Sequence, residues 1–380
     1  MRDVVVISLE VWDEVWRRNQ HLVAGLLRAG HVRRVLFVEP PVDVGHSLRG
    51  GRLPGRSGLR RIAVEGTDAK VWALRPTKWL PRRIDAGGDR RRAGLVARTA
   101  PRLGMTDPVL WVNDPGGAEV LAVTGWPALY DITDDWLVAD RPAAELTRLR
   151  RQETYLFDHC REVVVCSEGL RRTKSALREV VLIPNAVDLE PYRTLQPRPE
   201  DLPTGLVALY LGTAHRDRVD VDLCVATARA LSHPPGGRPG TVVLVGPAPL
   251  PAPDLAALRA AGVQVLGPRA SEQVPAYLQH ADVLLVPHVL TDFTMSLDPI
   301  KAYEYRAARR QVVATPVAGF VDVDDPLVQA VSAAAFPGAV TAATADVVPW
   351  SPDLPDDIPS WTIRVEQMAD VLDRVAGGHE

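Results

Sequence analysis

The chain of 380 residues is 46% hydrophobic and 24% charged, and it holds 3 cysteines. These values exclude an intrinsically disordered chain, a collagen-like repeat and a secreted disulfide scaffold, and they suit two soluble domains of ordinary size. The net charge of −3 hides an asymmetry: residues 1–198 carry 32 Lys and Arg against 25 Asp and Glu, whereas the remainder carries 12 against 22. A basic first half suits an anionic acceptor or a membrane surface, and equally a plain solvated face rich in arginine. Arginine outnumbers lysine 40 to 4, so Lys70, Lys78, Lys174 and Lys301 each stand out. Cys160, Cys166 and Cys224 lack the spacing of a zinc site, and a reducing, cytoplasmic setting is expected. The opening MRDVVVISLEVWDE turns acidic after one apolar run and reads as a strand, not a signal peptide. No stretch reaches about 18 uninterrupted apolar residues, so no membrane span is expected.

In chain order, short β-branched runs alternate with amphipathic segments. VVVISL (4–9) precedes a helix over 16–28 and the run VRRVLFVEPP (32–41). Residues 42–107 are less regular, and RGGRLPGRSGLRR and PRRIDAGGDRRR read as mobile loops. VLWVN (109–113), ALYDI (128–132), a charged helix over 142–157, EVVVCS (162–167) and VVLIPN (180–185) follow. LEPYRTLQPRPEDLPTG has four prolines in 17 residues and reads as a linker. The pattern then restarts with GLVALYLG (205–212), TVVLVG (241–246), VQVLG (263–267), DVLLVP (282–287) and QVVATP (311–316). Helices are expected between them over 219–232, 252–261, 271–279 and 298–309, and SWTIRVEQMADVLDRV (360–375) forms a separate amphipathic helix.

Strands apolar on both faces, alternating with helices, predict an α/β chain of two doubly wound, Rossmann-like parallel-sheet domains facing a cleft. The expected boundaries are 1–188, a linker at 189–204, a second domain at 205–355 and a terminal helical segment at 356–380. Ligands of such sheets bind at the carboxyl ends of strands, so site residues are sought there.

Several motifs are missing. No G-x-G-x-x-G follows the first strand, and no P-loop, nucleophile elbow or H-E-x-x-H occurs. The pairs Asp220/Asp222 and Asp322/Asp324 resemble diphosphate-metal triplets, but the first opens a helix whose dipole it complements, and no metal is expected. The strongest local signal is DPIKAYEY (298–305). Asp298 suits a helix N-cap and Pro299 the first helical position. Ile300 and Tyr303 then face inward, while Lys301 and Glu304 share a face three residues apart. Free backbone N–H groups and Lys301 make this helix start an anion site. Glu304, one turn deeper, offers two acceptor oxygens to a pair of ribose hydroxyls. The same two residues would also suit a plain surface ion pair.

In its context, DPIKAYEYRAARRQVVATPVAG strongly resembles the nucleotide-sugar-binding segment of the GT-B glycosyltransferases, glycosyl transferases group 1. VQVLGPRASEQVPAYLQHADVLLVPH (263–288), VLIPNAVD (181–188) and YLGTAHRDRVDVDL (210–223) are similar to further segments of that family, in the family's order. VWDEVWRRNQHLVAGLLRAGHVRRVLFVEPP and LYDITDDW resemble a bacterial cell-envelope and natural-product subgroup of retaining, family-4-like enzymes. Three departures stand out. Ser296 occupies the place of a frequent Glu, only Arg216 and Arg218 follow the Gly212 turn, and Arg309 stands near the family's glycine after Tyr-x-Ala.

The resemblance implies transfer of a sugar from a nucleotide-diphosphate donor, expected to be a UDP-sugar, to an acceptor hydroxyl with retention. Catalytic roles are expected for Lys301, Arg218 and Asp134. Donor contacts are expected from the turns carrying Gly212, Arg216, Gly267, Pro268 and Arg269. Further donor contacts are expected from Ser296, Asp298, Pro299, Ile300, Lys301 and Glu304. Acceptor contacts are expected from Trp16, Arg18, Gln20, Asp131 and Asp135, which follow strands of the first domain; N-capping of a local turn is the other reading of Asp134 and Asp135. Trp136 reads as packing, and His215 and His288 as either site lining or structure.

The donor is a substrate, so no cofactor is expected. Partners are the donor and a small-molecule, glycan or lipid-linked acceptor, with no nucleic acid. A peripheral contact at the inner membrane face through the basic first domain is a further expectation. In the family resembled, the terminal helix crosses back onto the first domain. Two other readings remain: a nucleotide-sugar 2-epimerase, which LYDITDDW does not resemble, and a partner subunit that has lost transfer, prompted by Ser296.

Overall fold

Valine- and leucine-rich runs with no polar face become the central strands, because only a sheet covered on both sides buries them completely. The computed structural model describes residues 1–50, 53–234 and 237–377, so Gly51 and Arg52 of the first expected loop and the last three residues of the expected terminal segment lie outside the described residues. The chain divides into two units, one of Met1–Leu137, Arg141–Pro184 and Trp361–Glu380, the other of Val138–Asp140 and Asn185–Ser360.

The first unit contains β1 (Arg2–Ile7), β2 (Val32–Val38), β3 (Val42–Asp43), β4 (Gly58–Ile62) and β5 (Lys70–Arg75), followed by β6 (Thr77–Lys78), β7 (Val109–Val112), β8 (Ala128–Ile132), β9 (Glu162–Val165) and β10 (Val181–Leu182). Eight of them form one sheet in the order β10-β9-β8-β7-β1-β2-β5-β4, while β3 and β6 pair separately. Within the eight-stranded sheet every pair is parallel except β4 with β5. The irregular stretch 42–107 is more ordered than its Gly/Pro content suggests. Gly58–Ile62 pairs with β5, and Gly88–Arg102 is a helix. Buried Ala93, Val96 and Ala100, at helical spacing, give that helix a core face despite its arginines.

The helix Trp361–Ala376 belongs to this unit and packs on the helix Arg18–Arg28. It buries Trp361, Val365, Met368, Val371, Leu372 and Val375. Their close crossing depends on Gly25, where a Cβ would lie 2.2 Å from Val365 Cγ2.

In the second unit, β11 (Leu206–Leu211), β12 (Gly240–Val245), β13 (Gln264–Gly267), β14 (Val283–Val286), β15 (Gln311–Ala314) and β16 (Val328–Ala330) form a parallel sheet in the order β13-β12-β11-β14-β15-β16. Residues 189–204 pack on this unit and are not a bare tether. Tyr192 and Leu202 are buried there, and Gln279 Nε2 donates to Tyr192 O at 3.4 Å and Thr194 O at 3.0 Å. Two apolar anchors outweigh the looseness that four prolines suggest.

Candidate functional site

β11 lies between β12 and β14, so the chain runs outward from it in both directions along the sheet. Such a switch point opens a crevice at the carboxyl ends of the strands, where open α/β sheets take ligands. Gly212 and Gly246, each with φ of 131°, follow β11 and β12. A Cβ on Gly246 would stand 2.3 Å from Gly212 O, so the two turns touch backbone to backbone. Backbone bonds join the loops after β11 and β14: Asp220 N donates to Pro287 O at 2.9 Å, and Val289 N to Arg218 O at 2.8 Å. Asp220 also caps the helix Val221–Ser232 by accepting from Leu223 N.

Lys301 enters this crevice from the helix Ile300–Ala307. The helix begins one residue later than the sequence suggests. Pro299 holds the N-cap place, and Asp298 lies outside it. Instead of capping, the Asp298 carboxylate accepts from Asn185 N at 2.5 Å and Tyr303 Oη at 2.7 Å, and Asn185 Nδ2 donates to Asp298 O at 2.5 Å. This braces the helix start against Asn185.

Lys301 Nζ lies 3.9 Å from the Tyr210 ring centroid and 3.4 Å from His288 Nε2. A Cβ on Gly212 would meet Nζ at 3.0 Å, so the glycine makes room for the ammonium. Burial pulls the Lys301 pKa from 10.5 to about 7; Arg218 acts in the same direction and Glu304 against it. Burial also pushes Glu304 from 4.5 up to about 7, with Lys301 opposing. Both side chains nevertheless keep part of their surface open. Among the described residues no group hydrogen-bonds the Glu304 carboxylate. His288 is buried, and desolvation with the charges of Lys301 and Arg218 drives its pKa well below 6.5. The Arg218 guanidinium lies over the Phe293 ring, 5.6 Å from its centroid.

Other expected donor residues are tied to protein groups. Arg216 gives two bonds of 2.5 Å to the Asp254 carboxylate, which corrects its expected place at a diphosphate. Arg269 pairs with Asp201 and donates to Tyr277 Oη at 2.7 Å, so it too is a brace. Ser296 is buried and donates to Phe293 O at 2.7 Å. Gly267, with φ of 79°, accepts from Gly246 N at 2.8 Å; Pro268 beside it is exposed, and Ile300 is half-buried. Arg309, with φ of 54°, adopts the left-handed backbone. His215 faces Asp217 at 3.2 Å.

In the first unit, most expected acceptor residues are structural. Arg18 and Asp131 are both buried and joined at 3.2 and 3.3 Å, and Trp111 Nε1 donates to the same carboxylate at 3.1 Å. Gln20 is buried in a capping box, accepting from Arg17 N at 3.1 Å and donating to Asp13 O at 2.9 Å. Asp135 lies 3.1 Å from Lys174 Nζ, and Glu153 lies 2.8 Å from it, all three buried. These residues therefore do not stand free for an acceptor. Trp16 is half-buried edge-on to His21, and Asp134 is half-buried beside Thr133 Oγ1 at 3.4 Å. Trp136 carries Arg141 over its ring at 5.4 Å.

Lys174→Met should destabilise the protein by about 3–5 kcal/mol, since it leaves two buried carboxylates without their cation. A urea midpoint matching that of the wild type would show the triad to be unimportant. Sequence reading overlooked this triad, although the rarity of lysine marks position 174. It also gave no role to Tyr210 or Asn185, because a tyrosine inside GLVALYLG looks like any core residue.

Residues 205–346 match the family model for glycosyl transferases group 1. No match was found among curated proteins. Among solved structures, the chain resembles OtsA in its apo form at 14% identity, over 99% of this chain and 96% of that one, with a TM-score of 0.62. It also resembles α,α-trehalose-6-phosphate synthase from Burkholderia multivorans at 13% identity, over 99% and 97%, with a TM-score of 0.59. A third neighbour is AviGT4, a glycosyltransferase involved in avilamycin A biosynthesis, at 16% identity over 100% and 99%, with a TM-score of 0.56. The fold is therefore that of the GT-B glycosyltransferases. The second unit, over residues 205–346, is thus similar to glycosyl transferases group 1.

Proposed function

We propose that the chain transfers a sugar from a nucleoside-diphosphate sugar, with UDP as the favoured carrier, and that the donor binds at the switch point of the second sheet. One observation carries this reading: Lys301 Nζ stands against the Gly212 turn with the unpartnered Glu304 carboxylate one turn further along the same helix. Departure of the diphosphate develops negative charge on its oxygens, and a fixed cation at a glycine turn stabilises that charge. Lys301 takes this role, and Arg218 supports it by adding positive charge at the same site. Glu304, when ionised, accepts from the two ribose hydroxyls.

Retention follows from the family resemblance. The acceptor hydroxyl attacks the anomeric carbon on the face the diphosphate leaves, the carbon–oxygen bond to phosphate breaks, and the hydroxyl proton passes to the departing phosphate oxygen. This route needs neither a protein nucleophile nor a bound cofactor. The acceptor belongs to the first unit, where Asp134 and Trp16 are the remaining candidates. Exposed Leu48, Trp79 and Ile84 in that basic unit support a peripheral contact at the inner membrane face, in a cytoplasmic setting, with a cell-surface glycan or natural product as the end point. Among the described residues no helix is long and apolar enough to cross a membrane.

The test is a thermal-shift panel of nucleotides followed by product analysis with nucleotide-sugars. A nucleoside diphosphate at a hundred times its Kd should stabilise the protein by about 2.7 kcal/mol. Failure of every nucleotide to stabilise, or formation of an epimerised donor, would remove the reading. Glu304→Gln should lose the wild-type preference for ribose over 2′-deoxyribose nucleotides, because the amide offers one acceptor oxygen where the carboxylate offers two. An unchanged preference in that variant would take Glu304 out of the ribose contact.

A further inference from the structure

Lys301 is held by two side chains from different strands, and hydrogen-bond accounting fixes how. Tyr210 is the last residue but one of β11 and His288 follows β14, so the two strands flanking the switch point each supply one wall. Tyr210 Oη and Lys301 Nζ both lie 3.4 Å from the same His288 Nε2. That nitrogen has one lone pair, so it accepts from one of them only. Tyr210 Oη has another acceptor, Thr213 O at 3.2 Å. An ammonium has no lone pair to offer, and among the described residues His288 Nε2 is the one hydrogen-bond partner of Lys301. The consistent assignment has the tyrosine donating to Thr213 O and the lysine to His288 Nε2. It requires a neutral imidazole with its proton on Nδ1, and burial keeps the ring neutral.

We infer that Tyr210 and His288 are positioning residues for transfer: the tyrosine ring faces the charge, His288 Nε2 takes one ammonium N–H, and the remaining N–H groups are left for the donor diphosphate at the Gly212 turn. This rests on the donor reading given above. The charged and titratable groups around the ammonium are Arg218 from the loop after β11, Glu304 from its own helix, His288 and Tyr210. Removing the imidazole acceptor takes a hydrogen bond from the cation and nothing from neutral lysine, so it favours the neutral form. The alkaline limb of donor binding then moves to lower pH.

The experiment compares donor KM, kcat and their pH profiles for wild type, His288→Met, His288→Gln, Tyr210→Phe and Lys301→Met. His288→Met should lower kcat/KM about tenfold to a hundredfold and shift the alkaline limb downward, as loss of a hydrogen bond to a charged group requires. His288→Gln, which keeps an acceptor oxygen, should recover much of both. Tyr210→Phe keeps the ring and should leave the limb in place. A wild-type limb and KM in His288→Met overturns the inference, and so does a larger shift in Tyr210→Phe than in His288→Met. Nitrogen NMR of the wild-type ring at pH 6, where Lys301 carries its charge, decides the matter even where a variant does not fold: Nδ1 protonated and Nε2 bare is expected, and a proton on Nε2 overturns it. Lys301→Met separates the two levels. If it binds donor normally, the donor reading fails; if it loses the donor while His288→Met does not, only the positioning role fails.

Discussion

Lys301→Met is expected to lower kcat/KM about a hundredfold to a thousandfold while the fold persists. Removal of one fixed electrostatic stabiliser from a developing oxyanion costs rates of that order. Loss of the charge also spares the unit a buried cation, so stability should not fall with activity. The pH dependence separates this role from a structural one. Lys301, pulled down to about 7 by burial, is mostly neutral at pH 8. On the proposed reading a nucleoside diphosphate binds its charged form, so binding at pH 8 should take up a proton and weaken as pH rises further. Glu304, raised to about 7, is mostly protonated at pH 6, and a ribose contact made by the carboxylate should release a proton there.

Folding stability without ligand follows the same shifts. Glu304 holds a proton more tightly when folded, so its stabilising contribution is lost as pH rises from 4.5 through about 7. Lys301 holds its proton less tightly when folded, so its contribution is lost as pH falls from 10.5 through about 7. Together the two groups place a minimum of stability near neutrality, and each single substitution should flatten one side of it. Calorimetry in buffers of different ionisation enthalpy reads the proton uptake directly. Equal uptake in wild type and Lys301→Met would remove the lysine from the site.

The sequence made the strands legible because runs such as VVLV (242–245) and VLLV (283–286) have no polar face, and only a covered parallel sheet accommodates them. Lys301 and Glu304 were legible because three-residue spacing on a helix is a local property. What the sequence concealed is what long-range ion pairs do to local candidates. Arg216 looks available until Asp254, 38 residues on, takes the Nε–Nη2 edge of its guanidinium. Arg18 opens the helix after β1 and Asp131 lies near the carboxyl end of β8, where ligand-binding residues sit, yet they meet each other across 113 residues. The helix start at 298–301 shows a finer limit. Aspartate before proline reads as a cap, but the Asn185 backbone competes for the same carboxylate and wins, and the helix begins at Ile300.

Cutting the chain after Ser360 should unfold the first unit and leave much of nucleotide binding intact. The helix that would be lost, Trp361–Ala376, buries six large apolar side chains against that unit. At about 1.5–3 kcal/mol each, their loss amounts to roughly 9 kcal/mol or more, as much as the whole stability of an ordinary domain. The damage extends to what the helix covers. His21 stacks on Trp361 with ring centroids 4.6 Å apart, and exposure of that face would open the helix that follows β1. Arg161 would lose Val375 O, and Glu162 would lose Arg374, so the start of β9 would lose two anchors as well. The cut falls after Ile358 because that residue belongs to the core of the second unit. Loss of the helix therefore tests one unit and spares the other. Transfer should vanish if the acceptor binds, as proposed, to the unit that unfolds, whereas a nucleoside diphosphate should still stabilise what remains. A frayed tail is the opposing view, common enough at chain ends. A truncated protein with the melting temperature and transfer rate of the full chain would establish that view; the expected result is an early melting transition that a nucleotide does not raise, followed by a later one that it does.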